Sequence, residues 1–385
     1  MTSLAVRLAR WAHEYTPHQQ DRQLASQGLR DTVAVILAAR ADPLTNVVAD
    51  LPEAARWAAL GHVLSYDDLH LPSTTHISAV CVPAVLACGG GERAYLGAAG
   101  VMARLGTVLG WSHYASGWHI TCTTGAPAAA AGAALALGLD VDQTAAAIAL
   151  AVPAAGGVQK AFGTAAKALQ VGFAAEAGVR AAHLVAAGAD ANPAALDQWL
   201  ELLGCGADEQ DLSGSAVPGG LVVKLFPCCF SLQRPIHAVR SLDTVDVAQV
   251  ERILVSTPES TTRPLIRHRP TSSREATLSL EYAIAATLLD GVPDFRAEAV
   301  MRPAAVRLMD RTAVEFTSGG TGLLDGEVSV VVELADGSRR CASADRLPLT
   351  GDADLAVKLS QCGPDVAQLV AALEWSDAAT VLRQA

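Results

Sequence analysis

Between Leu105 and Leu139 the chain carries no Asp, Glu, Lys or Arg, and its second half, Ala126 to Leu139, is a nearly continuous run of Ala, Leu and Gly. A helix that is polar on no side has to be buried on all sides, so other helices must wrap around this one. The stretch is long enough on paper to span a bilayer. It nevertheless holds Ser112, His113, Ser116, His119, Thr121, Thr123, Thr124 and Pro127, and its apolar part is mostly Ala and Gly. A buried helix in a soluble protein fits that composition better than a membrane span. Aromatics make up only 4% of the chain, which points to close-packed helices with small side chains between them.

The neighbouring sequence continues the pattern. Leu4, Leu8 and Trp11, then Leu29, Val33, Ile36 and Leu37, recur at three- and four-residue spacing. Asp140 to Thr144 starts the next helix, and Ala165 to Ala187 forms another, with Gly188 as its C-terminal cap. Gly172 and Gly178 inside it would cost about 1 kcal/mol each relative to Ala, so a neighbouring backbone is expected to pass very close. Near residue 215 the texture changes: Ser213 to Gly220 has the composition of a linker, and Val250 to Ser256 alternates like a strand. Ser272 to Leu289 is expected as one helix opened by the capping box Ser272-x-x-Glu275. Ala313–Phe316, Glu327–Glu333 and Arg339–Ala342 are expected strands, joined near Asp325-Gly326 and Asp336-Gly337. Leu355 to Leu382 returns to helix. With 385 residues the chain exceeds what one hydrophobic core usually covers. The expected fold is mainly α: a large all-helical domain over 1–220, completed by 345–385, and a smaller α/β lid domain over 221–344 with an antiparallel sheet.

The formal charge is −11, from 28 Lys+Arg against 39 Asp+Glu, and no basic stripe interrupts it. Nucleic acid is therefore excluded as a partner, because phosphate contacts need clustered cations. The N-terminus has no apolar signal-peptide core, and eight cysteines form no CxxC pair, so a reduced, cytoplasmic protein is expected. No GxGxxG, P-loop or HExxH is present.

Only four of the 28 cations are lysines: Lys160, Lys167, Lys224 and Lys358. In a sequence that otherwise writes cations as Arg, a Lys stands out as a place that needs a compact ammonium. Lys167 lies in an Ala-rich helix and Lys224 within an apolar stretch, although snorkelling surface lysines would look the same. His70 and His76 occupy a Thr-rich segment after Asp67-Asp68. His119 lies in a Thr/Cys/Gly run ahead of the buried Ala helix, where N–H groups and the helix dipole favour an anion. Structural histidines are the plainer alternative. A zinc site from His62, His70 and His76 matches no familiar ligand spacing, and Cys228-Cys229, flanked by apolar residues, are better core residues than nucleophiles.

Several short motifs fall in one order: Tyr66-Asp-Asp followed by Thr75-His76-Ile-Ser; Gly117-Trp-His119; and Lys167 before Val171-Gly172-x-Ala-Ala. Lys224-x-Phe-Pro-Cys-Cys and Leu280-Glu-Tyr282-Ala-Ile-Ala-Ala-x-Leu-Leu-Asp-Gly291 follow. Together, from about residue 20 to 345, they resemble the MmgE/PrpD family of 2-methylcitrate dehydratases, cis-aconitate decarboxylases and iminodisuccinate epimerases. The resemblance implies a homodimer whose active site lies in a cleft between two domains, with no metal and no organic cofactor. It implies that His76, His119, Lys167, Lys224 and Tyr282 form the site. Catalytic roles are expected for His119, Lys167, Tyr282, His76 and Asp68, and substrate contacts for Lys224, Asp67 and Ser65, with Asp67 or Asp68 holding a histidine tautomer or serving as the acid. A basic pocket of this kind would bind a small polycarboxylate and stabilise the enediolate-like charge left when a proton or CO2 departs, with His119 or a lysine of lowered pKa moving the proton.

Two departures matter. Where the family writes an acid two residues before the Asp pair this chain has Ser65, and where it often has Thr or Cys after the pair it has Leu69. Serine does not titrate near neutral pH. The expected function is a cofactor-independent lyase that dehydrates or decarboxylates a di- or tricarboxylate. A polycarboxylate epimerase or isomerase is the alternative, and a catalytically degenerate binding subunit the third reading.

Overall fold

The computed structural model describes residues 2–206, 212–318, 322–345 and 351–385. The chain divides into two units, residues 1–160, 166–223 and 350–385 forming one and residues 161–165 and 224–349 the other.

The first unit is helical. The charge-poor stretch is split between two helices, Glu92–Ala115 and Ile120–Ala136, because Gly117 (φ 106°) breaks the backbone between them. Every residue from Ile120 to Ala134 is buried, as a helix without a polar face requires. Among the described residues no helix is long and apolar enough to cross a membrane. The helix Ala166–Ala186 packs against this core helix and against Glu53–Val63. Its glycines explain how closely. A Cβ at Gly172 would lie 2.5 Å from the Ala55 carbonyl oxygen, and one at Gly178 would lie 2.5 Å from both Ala126 O and Ala130 N. The backbone of a neighbouring helix occupies the space that a side chain would need.

The segment expected as a linker, Ser213 to Gly220, is tied down. The buried Arg104 guanidinium donates to the carbonyls of Leu212, Ser213, Ser215 and Ala216, while Asp21 accepts from the Ala216 amide at 2.9 Å. Gly- and Ser-rich backbone is flexible only when its carbonyls face water, and these face a cation.

The second unit holds a four-stranded sheet, β1 (Val250–Pro258), β2 (Thr312–Thr317), β3 (Val328–Leu334) and β4 (Arg339–Ala344), in the order β2-β1-β3-β4. It is mixed, where an antiparallel sheet was expected. β1 pairs with β3, and β3 with β4, antiparallel, but β1 and β2 run parallel because the helical segment between them crosses over. Asp336-Gly337 makes a hairpin, with Gly337 at φ 80°. Asp325-Gly326 does not, since β2 pairs with β1 and not with β3. The Ser272 box caps only the short helix Ser273–Ala276, and Ser279 caps a second helix, Leu280–Asp290. The latter is buried through Thr287 in the core beneath the sheet. The C-terminal region is three helices, Asp352–Gln361, Pro364–Val370 and Trp375–Gln384, separated where Gly363-Pro364 interrupts the pattern.

Gly178→Ala tests the close approach. Alanine favours helix by about 1 kcal/mol, but overpacking backbone against backbone costs about 1–3 kcal/mol. A lower denaturation midpoint is expected, whereas an exposed helical glycine would gain stability.

Candidate active site

Three imidazoles meet in the helical unit. The ring centroids of His62 and His76 are 5.0 Å apart, and those of His62 and His119 are 5.4 Å apart. His62 ends the helix Glu53–Val63, while His76 and His119 are the N-cap residues of Ile77–Ala87 and Ile120–Ala136, with nearly equal backbone angles (φ −93°, ψ 82° and φ −90°, ψ 87°). The His76 amide donates to Thr121 Oγ1 at 3.1 Å, so the two helix N-termini lie side by side. From the Gly172–Ala55 crossing, the helix Ala166–Ala186 runs back toward Lys167 as the helix Glu53–Val63 runs forward to His62.

Hydrogen-bond partners fix the protons. Lys167 Nζ lies 2.8 Å from His62 Nε2 and 3.1 Å from Ser65 Oγ. An ammonium only donates, so His62 Nε2 accepts and the proton of the neutral ring is on Nδ1, donated to Asp67 Oδ2 at 2.6 Å. His76 Nδ1 lies 2.6 Å from the Asp68 carbonyl and 3.2 Å from the same Asp67 oxygen. Both are acceptors, so Nδ1 carries the proton and the lone pair of the neutral ring is on Nε2. The His76 side chain is 15% exposed, whereas those of His62 and Asp67 are 0% and 1%.

His119 has the opposite tautomer. Gln170 Oε1 accepts from the Val158 amide at 3.1 Å, which fixes the orientation of the side-chain amide. Its Nε2 therefore donates to His119 Nδ1 at 2.6 Å, and the ring proton is on Nε2. Burial holds the His119 pKa well below the usual histidine range, and the charges of His62, Lys167 and His76 add to this against Asp67. A helix N-terminus acts in the same sense. His119 is a neutral donor, and His76 is the ring whose lone pair is backed by a carboxylate, as in triad histidines.

Only two described non-glycine residues have a left-handed backbone, Ser65 and Thr74, both at φ 53°. They flank the loop that bears Asp67 and Asp68, and Thr74 stands two residues before His76. That conformation costs about 1–2 kcal/mol for an L-residue, and strain of this kind collects at functional sites.

Asp67, expected at the substrate or as the holder of a histidine tautomer, accepts from His62 and His76. The Asp68 carboxyl faces away from the imidazoles. Its Oδ1 accepts from the Ser78 amide at 3.3 Å, its Oδ2 has no hydrogen-bond partner among the described residues, and the residue's contact with His76 is through the main chain. Burial, reinforced by Asp31, pushes the Asp68 pKa up to about 7. Ser65 accepts from Lys167. Lys224 and Tyr282 belong to the other unit. Lys224 is buried there, and the Tyr282 ring is fully buried with its hydroxyl donating to the Asp294 carbonyl. Burial, with the charges of Asp294 and Asp290 adding to it against Arg302, raises the Tyr282 pKa to about 12. The Cys228 thiol is buried in the same core and pushed well up by burial, as expected of a core residue.

His70 is outside any metal set, because its nitrogens bind Ser73 Oγ and the Pro218 carbonyl, each at 2.6 Å. His62, Asp67 and His76 are close enough to share an ion. Both histidines, however, turn Nδ1–H toward Asp67, and the ammonium of Lys167 lies on the other nitrogen of His62. That arrangement suits a proton network and opposes a divalent cation. Sequence reading missed Gln170 and the site role of His62. An i, i+3 pair of Lys167 and Gln170 on one helix was the signal available.

The family model of the MmgE/PrpD N-terminal domain matches residues 49–202, and that of the MmgE/PrpD C-terminal domain matches residues 226–356. No curated protein was found to match the chain.

Asp68→Asn tests the buried carboxyl. A pKa raised from 3.8 to about 7 means that the folded state binds the extra proton, so this group's contribution is fully present below about pH 4 and is lost as pH rises through about 7. Asparagine mimics the protonated form. In urea unfolding the variant should gain on the wild type between pH 4 and pH 8; an equal difference at both pH values would contradict the burial of an ionisable group here.

Proposed function

The chain belongs to the MmgE/PrpD family, whose activities are of the dehydratase and lyase type, and we propose that it dehydrates a small di- or tricarboxylate without a cofactor. The observation that carries this reading is the His76–Asp67 pair beside Lys167 and the neutral donor His119.

In this reading a substrate carboxylate binds Lys167 and His119 Nε2–H, and the dipoles of the two adjacent helix N-termini favour its charge. His76 Nε2 takes the α-proton and the C–H electron pair moves into the bound carboxylate, giving an enediolate. Asp67 stabilises the imidazolium, as preorganised charge does in such sites. The enediolate collapses to an alkene as the β C–O bond breaks. The hydroxyl leaves with the proton held by His76, so the net loss is water. Decarboxylation uses the same anion stabilisation, with CO2 in place of the proton and His76 returning a proton to carbon.

One observation favours a second reading. Ser65 stands 3.1 Å from Lys167 where the family resemblance leads one to expect an acid, so no carboxylic acid at that position assists a leaving hydroxyl. Proton transfer without group loss, an epimerisation, is the alternative.

Proton NMR in D2O with citrate, 2-methylcitrate, cis-aconitate and iminodisuccinate separates them. A new olefin, or loss of CO2 from cis-aconitate, supports the lyase. Deuterium uptake without an olefin supports the epimerase, and silence across the panel leaves the binding-subunit reading or a substrate outside the panel. With an active substrate, His76→Ala should lower turnover about a hundredfold or more. Lys167→Ala should raise KM roughly tenfold or more, from loss of a charge-assisted hydrogen bond worth about 1.5–3 kcal/mol.

A further inference from the structure

Lys358 and Asp31 lie outside both matched spans, at 49–202 and 226–356, yet both are buried directly behind the site. Lys358 projects from the helix Asp352–Gln361 and Asp31 from Gln19–Ala38, and their Nζ–Oδ1 distance is 2.5 Å. The same ammonium donates to the Tyr66 carbonyl and lies 4.5 Å from the centre of the Tyr66 ring. The Tyr66 hydroxyl in turn donates to Gln361 on the lysine's own helix. One helix therefore grips Tyr66 at its carbonyl, ring face and hydroxyl.

Tyr66 is the residue before the two that hold His76. The Asp67 carboxylate and the Asp68 carbonyl both accept from His76 Nδ1, so the tautomer of that ring depends on where the 66–68 backbone sits. A buried ion pair is a poor device for stability, since an apolar pair of similar volume is often as good or better. Geometry is the better account of this pair.

We propose that Lys358, held by Asp31, is a positioning residue for His76: it fixes the Tyr66 carbonyl, and through it the two acceptors that keep the His76 proton on Nδ1 and the lone pair on Nε2. The inference rests on His76 as the base, but its test reads the ring nitrogens without substrate. Failure of the lyase reading in the D2O panel and failure here are therefore separate results.

The experiment is a long-range 1H–15N correlation of the imidazoles in the 15N-histidine-labelled full chain, with His76 assigned from its loss in His76→Gln. In the wild type His76 should show one Nδ1-protonated tautomer. In Lys358→Met its two nitrogen shifts should converge toward those of a tautomer mixture, while His119, held by Gln170, keeps its pattern. If the single variant does not fold, Asp31→Asn/Lys358→Met, which leaves no lone buried carboxylate, is read instead with the same expectation. A folded variant of either kind with His76 unchanged overturns the proposal. If neither folds, Asp31→Asn is read: a His76 mixture in it supports the proposal, and an unchanged His76 or a third failure to fold assigns the pair to the fold and overturns it.

Discussion

The site depends on one buried carboxylate. Asp67 is 1% exposed, and a single oxygen of it faces the Nδ1 atoms of both His62 and His76. A lone carboxylate at such a place would cost several kcal/mol of desolvation; two imidazole N–H groups and the Lys167 ammonium one ring further on offset that cost. The same contacts decide the protons. His62 relays between Lys167 and Asp67, and His76 carries its lone pair on Nε2. His119, held by Gln170 in the other tautomer and kept neutral by burial, supplies a donor. Acceptor and donor are thus separated by hydrogen bonding alone, although the residues are chemically alike.

The Ala- and Gly-rich helices make this convergence possible. Where Gly172 meets the Ala55 carbonyl and Gly178 meets the backbone of Ala126–Ala130, helix axes approach more closely than larger residues would permit. Lys167 and Gln170, on the first turn and a half of the same helix, are thereby brought to two different histidines. Small residues in the core and long polar side chains at its edge are two consequences of one packing arrangement.

The fold was largely legible because its strongest signals are local. The unbroken apolar run at 126–139, the two costly helical glycines and the Asp336-Gly337 turn each constrain the backbone within a few residues. What failed depends on distant partners. The parallel pairing of β1 with β2 is set by a crossover of some fifty residues, and no local pattern separates it from a hairpin. The supposed linker at 213–220 is fixed by Arg104, more than a hundred positions away. In the site, His76, His119 and Lys167 were found from residue type and family resemblance. The resemblance offered His119 or a lysine of lowered pKa as the proton carrier; the tautomers follow from partners such as Gln170 and the Asp68 carbonyl, which no spacing reveals. The Asp68 carboxyl accepts from the Ser78 amide ten positions on, a partner that spacing does not reveal either.

Everything proposed for the site follows from the neutral rings of His76 and His119 holding their protons on opposite nitrogens. A neutron structure of the unsubstituted protein at pH 8 tests it most directly, by locating the ring deuterons. Deuterium is expected on Nδ1 of His62 and His76, on Nε2 of His119 and on neither oxygen of Asp67. Deuterium on Nε2 of His76, or on Nδ1 of His119, would contradict it.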